Sequence, residues 1–416
     1  MVNRQILLGQ SRQELRVVKS SLRFDRMEFS GSLGDIGTLI PLATGLIMVN
    51  GLNPTGIFFS VGLYYIVSGL YFKISMPVQP MKVIGAYAIA AGLSASQIMA
   101  SVLIMGGFLL LIGLIPILGG LIRRIPKSVI RGVQLSTGVM LMSEGVRLAL
   151  GTSRFQALSG AAEPFLSIQN IGPIPVGWLI GIIGALIVFT LADHKRFPAA
   201  AVLLFGGMSF GLLFGGKLNL DGLALGFFFP EGPDLSVFRT SDFIVALVSL
   251  ALPQLPMTLT NAVVATEDLA GVYYGANARK VTARAICISM GLANCLSFLL
   301  GGMPLCHGAG GLAAHYRFGA RSAGSNLIIG TIFVGLALFL GFQAMKLFQL
   351  LPMAVLGVLL IFAGAELGRS ILDIQDRKDL FVILSILAIT LTTDLAAGFL
   401  VGLVLAILLR SRHFRV

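Results

Sequence analysis

Stretches of about 20 consecutive apolar residues recur along the whole of this 416-residue chain. A helix of that length crosses the hydrocarbon core of a bilayer. Charged residues make up only 12% of the chain, against about 25% in soluble domains, so too few polar groups exist to cover a surface in water. The sequence therefore predicts an all-α integral membrane protein in contact with the lipid bilayer. The net charge is +12, and the charged residues lie between the apolar runs. Orientation of the protein in the membrane explains this distribution better than nucleic-acid binding does.

The apolar runs divide into about fourteen segments. Two of them, Val78–Leu93 and Leu305–Ala314, are too short to span a membrane alone, and each follows a Met-Pro pair. If the N-terminus is cytoplasmic, the loops assigned to the outside hold few basic residues, namely Arg147, Arg154, Lys217, Arg239 and Lys346. This asymmetry follows the positive-inside rule and predicts a multi-pass protein of the cytoplasmic membrane with both termini in the cytoplasm.

The two halves of the sequence resemble each other. Met76-Pro77-Val78 recurs as Met303-Pro304-Leu305, 227 positions later, and Ile125-Pro126-Lys127 recurs as Leu351-Pro352-Met353, 226 positions later. The polar stretch Gly151–Pro175 is an insertion in the first half. With seven segments in each half, the second repeat must be inverted relative to the first, which is an architecture of secondary transporters. Some channels also carry inverted repeats with half-helices.

The repeat pattern predicts the domain boundaries. In chain order they are a cytoplasmic N-terminal segment (1–28), a first inverted repeat (29–215), an extracytoplasmic loop (216–242), a second inverted repeat (243–410) and a short cytoplasmic tail (411–416).

The two short segments are the best candidates for a binding site. A helix that starts inside the membrane directs unpaired backbone N–H groups and the positive end of its dipole into the protein, where they attract anions. In the first segment Gln79 and Lys82 lie at this start, and a lysine at membrane depth is a functional candidate. The alternative is a structural pairing of Lys82 with Asp35.

In the second segment His307, Gly308 and Ala309 open the half-helix. The small residues let an anion approach the backbone closely. His307 either donates a hydrogen bond to that anion or satisfies a backbone carbonyl, and the sequence favours neither interpretation.

Two further stretches, Gly31–Thr38 and Leu252–Asn261, are polar and unfavourable for a helix although they lie inside apolar runs. We expect them to flank the half-helices. Their candidate neutral donors, each of which is equally explained as interhelical packing, are Thr38, Gln254, Thr258 and Asn261. Asp35, in the first stretch, is a further candidate substrate-binding residue.

Glu267 and Asp268 end the eighth segment and are weak candidates for coupling a proton or sodium ion, with a solvated cytoplasmic pair as the alternative. Glu144 and Glu366 follow the repeated Pro segments and are explained as well by packing as by chemistry. The sequence offers no catalytic arrangement, nucleotide-binding motif or metal-binding Cys spacing, so we expect neither an enzyme nor a cofactor.

Several motifs resemble the molybdate transporter family, a branch of the SulP sulfate permease group. They are Gly34–Thr38 (GDIGT), Met76–Lys82 (MPVQPMK), Leu252–Pro256 (LPQLP), Thr260–Val263 (TNAV), Met303–Gly311 (MPLCHGAGG) and His315–Arg321 (HYRFGAR). The similarity runs from about Glu28 to Arg410. Sulfate permeases typically add a STAS domain after the last span, and this sequence carries none, which fits the molybdate branch.

The resemblance implies a fold of seven plus seven spans, divided into a core domain (spans one to four and eight to eleven) and a gate domain. An oxyanion would bind between the two half-helix N-termini. We therefore predict a secondary transporter of molybdate, with sulfate or tungstate as close alternatives. A nucleobase permease is disfavoured because Asn261 and His307 stand near where such permeases use acidic side chains. A passive anion channel is a further alternative. The coupling ion, the direction of transport and the formation of a homodimer are left open.

Overall fold

Helices dominate the computed structural model, which describes residues 22–115, 125–191, 199–215 and 226–410. Within this part of the chain, five helices are long and apolar enough to cross a membrane, or six if one bent pair is counted as a single span. Five further apolar helices are 10–17 residues long. The all-α membrane class is confirmed, whereas the count of fourteen spans stays a prediction.

The first half contains nine helices and three strands among the described residues. They are α1 (Arg26–Ser32), α2 (Ile36–Met48), α3 (Pro54–Phe72), β1 (Gln79–Pro80), α4 (Lys82–Ala91), α5 (Ala95–Leu114), α6 (Lys127–Leu150), α7 (Arg154–Ser159), β2 (Asn170–Ile171), β3 (Ile174–Pro175), α8 (Val176–Leu191) and α9 (Ala199–Phe214).

The second half follows a short 3₁₀ turn at Leu235–Val237. Its elements are α10 (Thr240–Ala278), α11 (Ala283–Leu299), β4 (Leu305–Cys306), α12 (Ala309–Arg317), α13 (Gly324–Leu340), α14 (Ala344–Phe348), α15 (Met353–Gly368), α16 (Arg377–Thr392) and α17 (Leu395–Leu408).

Local sequence chemistry sets many helix boundaries. The Asn53 side chain accepts a hydrogen bond from the N–H of Thr55 at the start of α3, and Pro54 occupies the first helical position. A reciprocal capping box between Ser94 and Gln97 starts α5. Gly92 ends α4 in the left-handed conformation, with φ of 63°. These signals keep α4 to ten residues.

The two predicted interruptions have different outcomes. The helix is broken within Gly31–Thr38, because α1 and α2 meet there at an angle of 43°. The expectation that Leu252–Asn261 would also be unfavourable for a helix is wrong, since α10 continues through it. Its turns at Ala246–Ala251 and Thr258–Val264 are π-helical. Proline lacks a backbone N–H and crowds the preceding turn, and these wider turns lie on either side of Pro253 and Pro256.

Glycines bring the main helix pairs into close contact. Helices α6 and α15 cross in opposite directions, with Gly138 against Gly364 and Gly145 against Gly357. The carbonyl oxygen of Gly364 lies 2.6 Å from where a Cβ atom on Gly138 would stand, and the Gly138 carbonyl lies 2.5 Å from the corresponding point on Gly364. The two glycines are 226 positions apart, the same offset as in the repeated Pro segments. This reciprocal contact is what a local two-fold between inverted repeats produces.

The insertion Gly151–Pro175 lies against four helix ends. Ser167 donates hydrogen bonds from its N–H and its Oγ to the carbonyl of Phe214 at the end of α9. The fully buried Glu163 accepts hydrogen bonds from the N–H groups of Met353 and Ala354 at the start of α15. Gly177 of α8 also lies against Glu163. The insertion therefore ties the same end of α6, α8, α9 and α15 together.

Candidate functional site

The two short helices begin side by side. The strands that precede them pair in antiparallel fashion, with Gln79 opposite Cys306 and Pro80 opposite Leu305. The N–H of Met81 donates to the carbonyl of Pro304 at 2.9 Å. The ten-residue helix α4 and the nine-residue helix α12 thus start from one shared point. The sequence prediction required this proximity, and the structure provides it.

The start of α4 is already capped by another helix. Gln254 of α10 accepts hydrogen bonds at its Oε1 from the N–H groups of Val83 (2.9 Å) and Ile84 (3.3 Å). Its amide nitrogen donates to Thr258 Oγ1 at 2.8 Å, and the Thr258 hydroxyl donates to the Gln254 carbonyl. Both predicted donors are buried and hold the helix start in place instead of facing open space.

No side chain among the described residues caps the start of α12 in this way. Gly308 occupies the cap position and offers no side chain to the free N–H groups. Ala309 is half-buried and Gly310 is exposed, and nothing lies within 4 Å of where a Cβ atom on Gly310 would stand. This end of the helix dipole is therefore the more accessible of the two to an anion.

Asp35 and Gln79 form a buried pair beside this helix start. The Gln79 amide donates to Asp35 Oδ2 at 2.6 Å, and the two side chains are 1% and 3% exposed, respectively. Both pack onto Gly311, and Gln79 also packs onto Gly308. The small residues at the start of α12 thus make room for the Asp35–Gln79 pair. The positions of these residues in the sequence do not reveal this role.

Both ring nitrogens of His307 bind protein groups. Nδ1 lies 2.7 Å from the carbonyl oxygen of Pro77 and Nε2 lies 2.7 Å from the Tyr64 hydroxyl. Because a carbonyl only accepts, Nδ1 carries the proton, and in a neutral ring Nε2 accepts from Tyr64. Ser289 in turn donates to the Tyr64 hydroxyl at 3.2 Å. Of the two interpretations of His307, the geometry favours the one in which it satisfies a carbonyl.

A cavity of about 300 Å³ is lined by Lys82 at the start of α4, and none of its lining residues belongs to the start of α12. One wall comes from α2, α4 and α10, and the opposite wall from α6, α8, α9 and α15. Three of the predicted site residues line it, namely Thr38, Lys82 and Asn261. The cavity lies at the boundary where the family resemblance places the core against the gate.

Lys82 is the cation of the first wall. It is half-buried, and no side chain in the described ranges forms an ion pair or hydrogen bond with its ammonium group. Asp35 is close enough to interact with it electrostatically, but the two charged groups are more than 4.0 Å apart and Asp35 hydrogen-bonds with Gln79 instead. The structural alternative, a direct Lys82–Asp35 pair, is therefore not what this structure contains. An unpaired ammonium on a cavity wall is a site for an anion.

Arg131 and Gln134 are lining residues that the sequence reasoning missed. Arg131 donates to Gln134 Oε1 at 2.8 Å and forms an ion pair with Asp373 at 2.5 Å. Lys127 joins the same carboxylate at 2.8 Å. A charged residue just inside the apolar run of α6 is the signal that would have identified Arg131.

The remaining candidates lie outside this cavity or at its rim. Asp268 is exposed and Glu267 half-buried on α10, and neither lines the cavity. Glu144 forms an ion pair with Arg147 at 3.6 Å. Glu366 lines the cavity. No group of three or more His, Cys, Asp or Glu residues in the described ranges has the geometry to hold a metal ion.

The comparisons with known proteins agree on the family. A family model described as "Molybdate transporter of MFS superfamily" matches residues 27–141 and 246–367. Molybdate transporter 2 of Arabidopsis thaliana is 32% identical over 92% of this chain and 87% of its own length. Molybdate transporter 1 of Chlamydomonas reinhardtii is 31% identical over 91% of this chain and 90% of its own.

Solved structures show the fold. The transmembrane domain of the cyanobacterial bicarbonate transporter BicA superposes with a TM-score of 0.65, at 18% identity, and the alignment covers 93% of this chain and 98% of that one. The murine anion transporter Slc26a9 in its inward-facing state gives a TM-score of 0.62 at 14% identity, covering 98% of this chain and 75% of that one. Both belong to the SLC26/SulP group, so the membrane fold of that group is confirmed, whereas the count of seven plus seven spans stays a prediction. The matching family model carries the MFS name instead.

Proposed function

Because this chain belongs to the molybdate transporter family, we propose that it is a secondary active transporter that binds molybdate in the cavity that Lys82 lines at the start of α4. The observation that carries this proposal is the Lys82 ammonium on the wall of that cavity, which pairs with no side chain among the residues that the structure describes. The uncapped start of α12 does not line this cavity, but it lies next to the start of α4 through the β1–β4 pairing and adds a second positive helix end there. A tetrahedral dianion is attracted by both.

The cavity also offers neutral groups that suit an oxyanion. Thr38 and Asn261 line it and supply a hydroxyl and an amide. Arg131 and Gln134 stand on the opposite wall. The two walls are built from different helices. Movement of one wall relative to the other would release an anion held between them, which is how alternating access operates in inverted-repeat transporters.

Orientation is part of the proposal. The basic residues on the cavity side, Lys127, Arg131 and Arg369, belong to loops and helix ends assigned to the cytoplasm by the positive-inside rule. Both termini then lie in the cytoplasm, and the cavity opens toward the cytoplasmic face. The insertion Gly151–Pro175 lies on the opposite face.

Uptake into proteoliposomes tests the function. The purified chain is reconstituted and labelled molybdate is added with proton, sodium or no gradient. We expect saturable uptake that one gradient accelerates, with competition by tungstate and weaker competition by sulfate. Absence of uptake under every gradient, or an ohmic flux that does not saturate, contradicts the proposal.

The competitors distinguish the alternatives. Sulfate and molybdate share charge and shape, and the relatives of known fold include transporters of other anions, so sulfate is the second candidate substrate. Preferential inhibition by sulfate identifies a sulfate transporter on the same site. Inhibition by uracil identifies a nucleobase permease, which the satisfied ring nitrogens of His307 disfavour.

A further inference from the structure

A second cavity lies between α3 and α11, on the outer surface of the helix bundle. Its volume is about 260 Å³, and it shares no lining residue with the anion cavity. The walls are mostly aliphatic and include Leu63, Val67, Ile288, Leu292 and Leu296. Val67 is 52% exposed and Leu292 is 57% exposed. In a protein that spans a bilayer, such an open apolar groove faces lipid chains instead of water.

The groove has the length of one bilayer leaflet. Its lining extends from Ser60 to Tyr71 on α3 and from Ala285 to Leu296 on α11. Eleven steps of about 1.5 Å give a groove of roughly 16 Å. Half of a hydrocarbon core of about 30 Å is about 15 Å. A single acyl chain that enters from one leaflet therefore fits along the groove.

Basic side chains cluster at one end of the groove. The Lys280 ammonium lies 5.1 Å from the centroid of the Tyr71 ring, which lines the groove. Arg284 lies one turn before Ile288 on α11, and Lys73 directly follows α3. All three basic residues are exposed, and none forms an ion pair with a described residue.

We propose that this groove binds a phospholipid with an anionic headgroup. The acyl chain lies between α3 and α11, and the headgroup phosphate meets Lys280 and Arg284. Charge complementarity selects the headgroup, since basic residues at a membrane surface attract anionic lipids. The proposal does not depend on which anion the protein transports.

The bound chain would contact the support of the anion site. Tyr64 and Ser289 both line the groove, and the Tyr64 hydroxyl lies 2.7 Å from His307 Nε2. His307 directly precedes Gly308, the cap residue of α12. A lipid chain in the groove therefore packs against the residue that positions this helix start, and binding stabilises that arrangement.

Lipid-dependent thermal stability of the purified full-length chain tests the proposal. Delipidated protein in detergent is titrated with phosphatidylglycerol or with phosphatidylcholine of the same acyl chains. We expect phosphatidylglycerol to raise the melting temperature at lower concentration than phosphatidylcholine. The double variant Lys280→Gln/Arg284→Gln should weaken this effect by about fivefold for each basic side chain removed. The matched control Arg154→Gln, an exposed arginine on α7, should leave it unchanged.

A second variant tests the groove itself. Val67→Trp fills the groove from a position that is 52% exposed, so the variant should fold, which size-exclusion chromatography checks, and it should abolish stabilisation by both lipids. Equal stabilisation of the wild type by both lipids contradicts the proposal. Stabilisation by glycerol 3-phosphate alone, or an unchanged response in both the Lys280/Arg284 and the Val67 variants, also overturns it.

Discussion

The side-chain oxygen of Gln254 accepts a hydrogen bond of 2.9 Å from the backbone N–H of Val83. A residue of α10 thereby caps a short helix that begins far earlier in the chain, and the same oxygen accepts from Ile84. This contact leaves the two short helices unequal, with one start closed by a neutral amide and the other, at Gly308, open.

Replacement of Gln254 should separate capping from charge. Gln254→Leu leaves two buried N–H groups without an acceptor and should destabilise the protein by about 1–3 kcal/mol. Gln254→Glu keeps the acceptor but adds a negative charge near Lys82, so stability should be retained while molybdate affinity falls. Melting temperature and molybdate binding in detergent measure the two effects. Equal loss of stability in both variants would show that the cap is not what Gln254 contributes.

Removal of the Lys82 charge should abolish molybdate binding. Lys82→Met keeps the aliphatic length, and the missing ammonium takes away the unpaired cation of the cavity wall. Binding to detergent-solubilised protein is the measurement, with correct folding checked by size-exclusion chromatography. Arg154→Met is the matched control, because Arg154 is an exposed residue of α7 that does not line the anion cavity. Wild-type affinity in Lys82→Met removes Lys82 from the site.

Neutralisation of Asp35 should strengthen anion binding. Asp35→Asn keeps an oxygen that accepts from Gln79 but removes the buried negative charge beside the helix starts. Repulsion between that charge and a dianion is lost, so molybdate should bind several-fold more tightly, as estimated from Coulomb's law at partly buried sites. A calorimetric titration of the variant and the wild type measures the difference. Weaker binding in Asp35→Asn would show that the carboxylate is needed for another step.

The stability of the insertion should depend on pH through Glu163. Burial raises the pKa of this carboxyl from 4.5 to about 7, although two backbone N–H bonds oppose the shift. Between these values the folded protein binds more protons than the unfolded chain, so the free energy of unfolding should fall as pH rises from about 4.5 to about 7. Glu163→Gln removes this titration and should flatten the dependence of melting temperature on pH across that window.

The control for Glu163 is Glu231→Gln, which changes an exposed carboxyl in a loop. It should leave the pH profile of the wild type unchanged. If Glu163→Gln also leaves the profile unchanged, Glu163 does not titrate in this range.

The contact between α6 and α15 should not tolerate a methyl group. Gly138→Ala places a Cβ atom 2.6 Å from the Gly364 carbonyl oxygen and should cost about 1–3 kcal/mol of stability as the helices separate. Gly335→Ala on α13 is the matched control, since nothing lies within 4 Å of its added Cβ atom. That variant should be neutral or slightly stabilised, because alanine favours a helix more than glycine does. Equal melting temperatures for the two variants would contradict close packing at Gly138.

The sequence by itself determined the class of protein and the parts of the site. Apolar runs of membrane-spanning length leave no soluble alternative, and the two Met-Pro pairs precede two apolar segments too short to span. These features are local, because they depend on hydropathy and on backbone conformations that nearby residues impose. The same local signals identified Lys82 as a charge at membrane depth.

The tertiary structure decided what each candidate side chain contacts. Gln254 proved to be a cap and His307 a link between Pro77 and Tyr64, because their partners lie about 170 to 240 positions away. Arg131 lines the cavity only because α6 and α4 border the same cavity in the folded protein. Hydropathy and spacing carry no information about such distant pairings, which depend on how closely the glycine-lined helices approach each other.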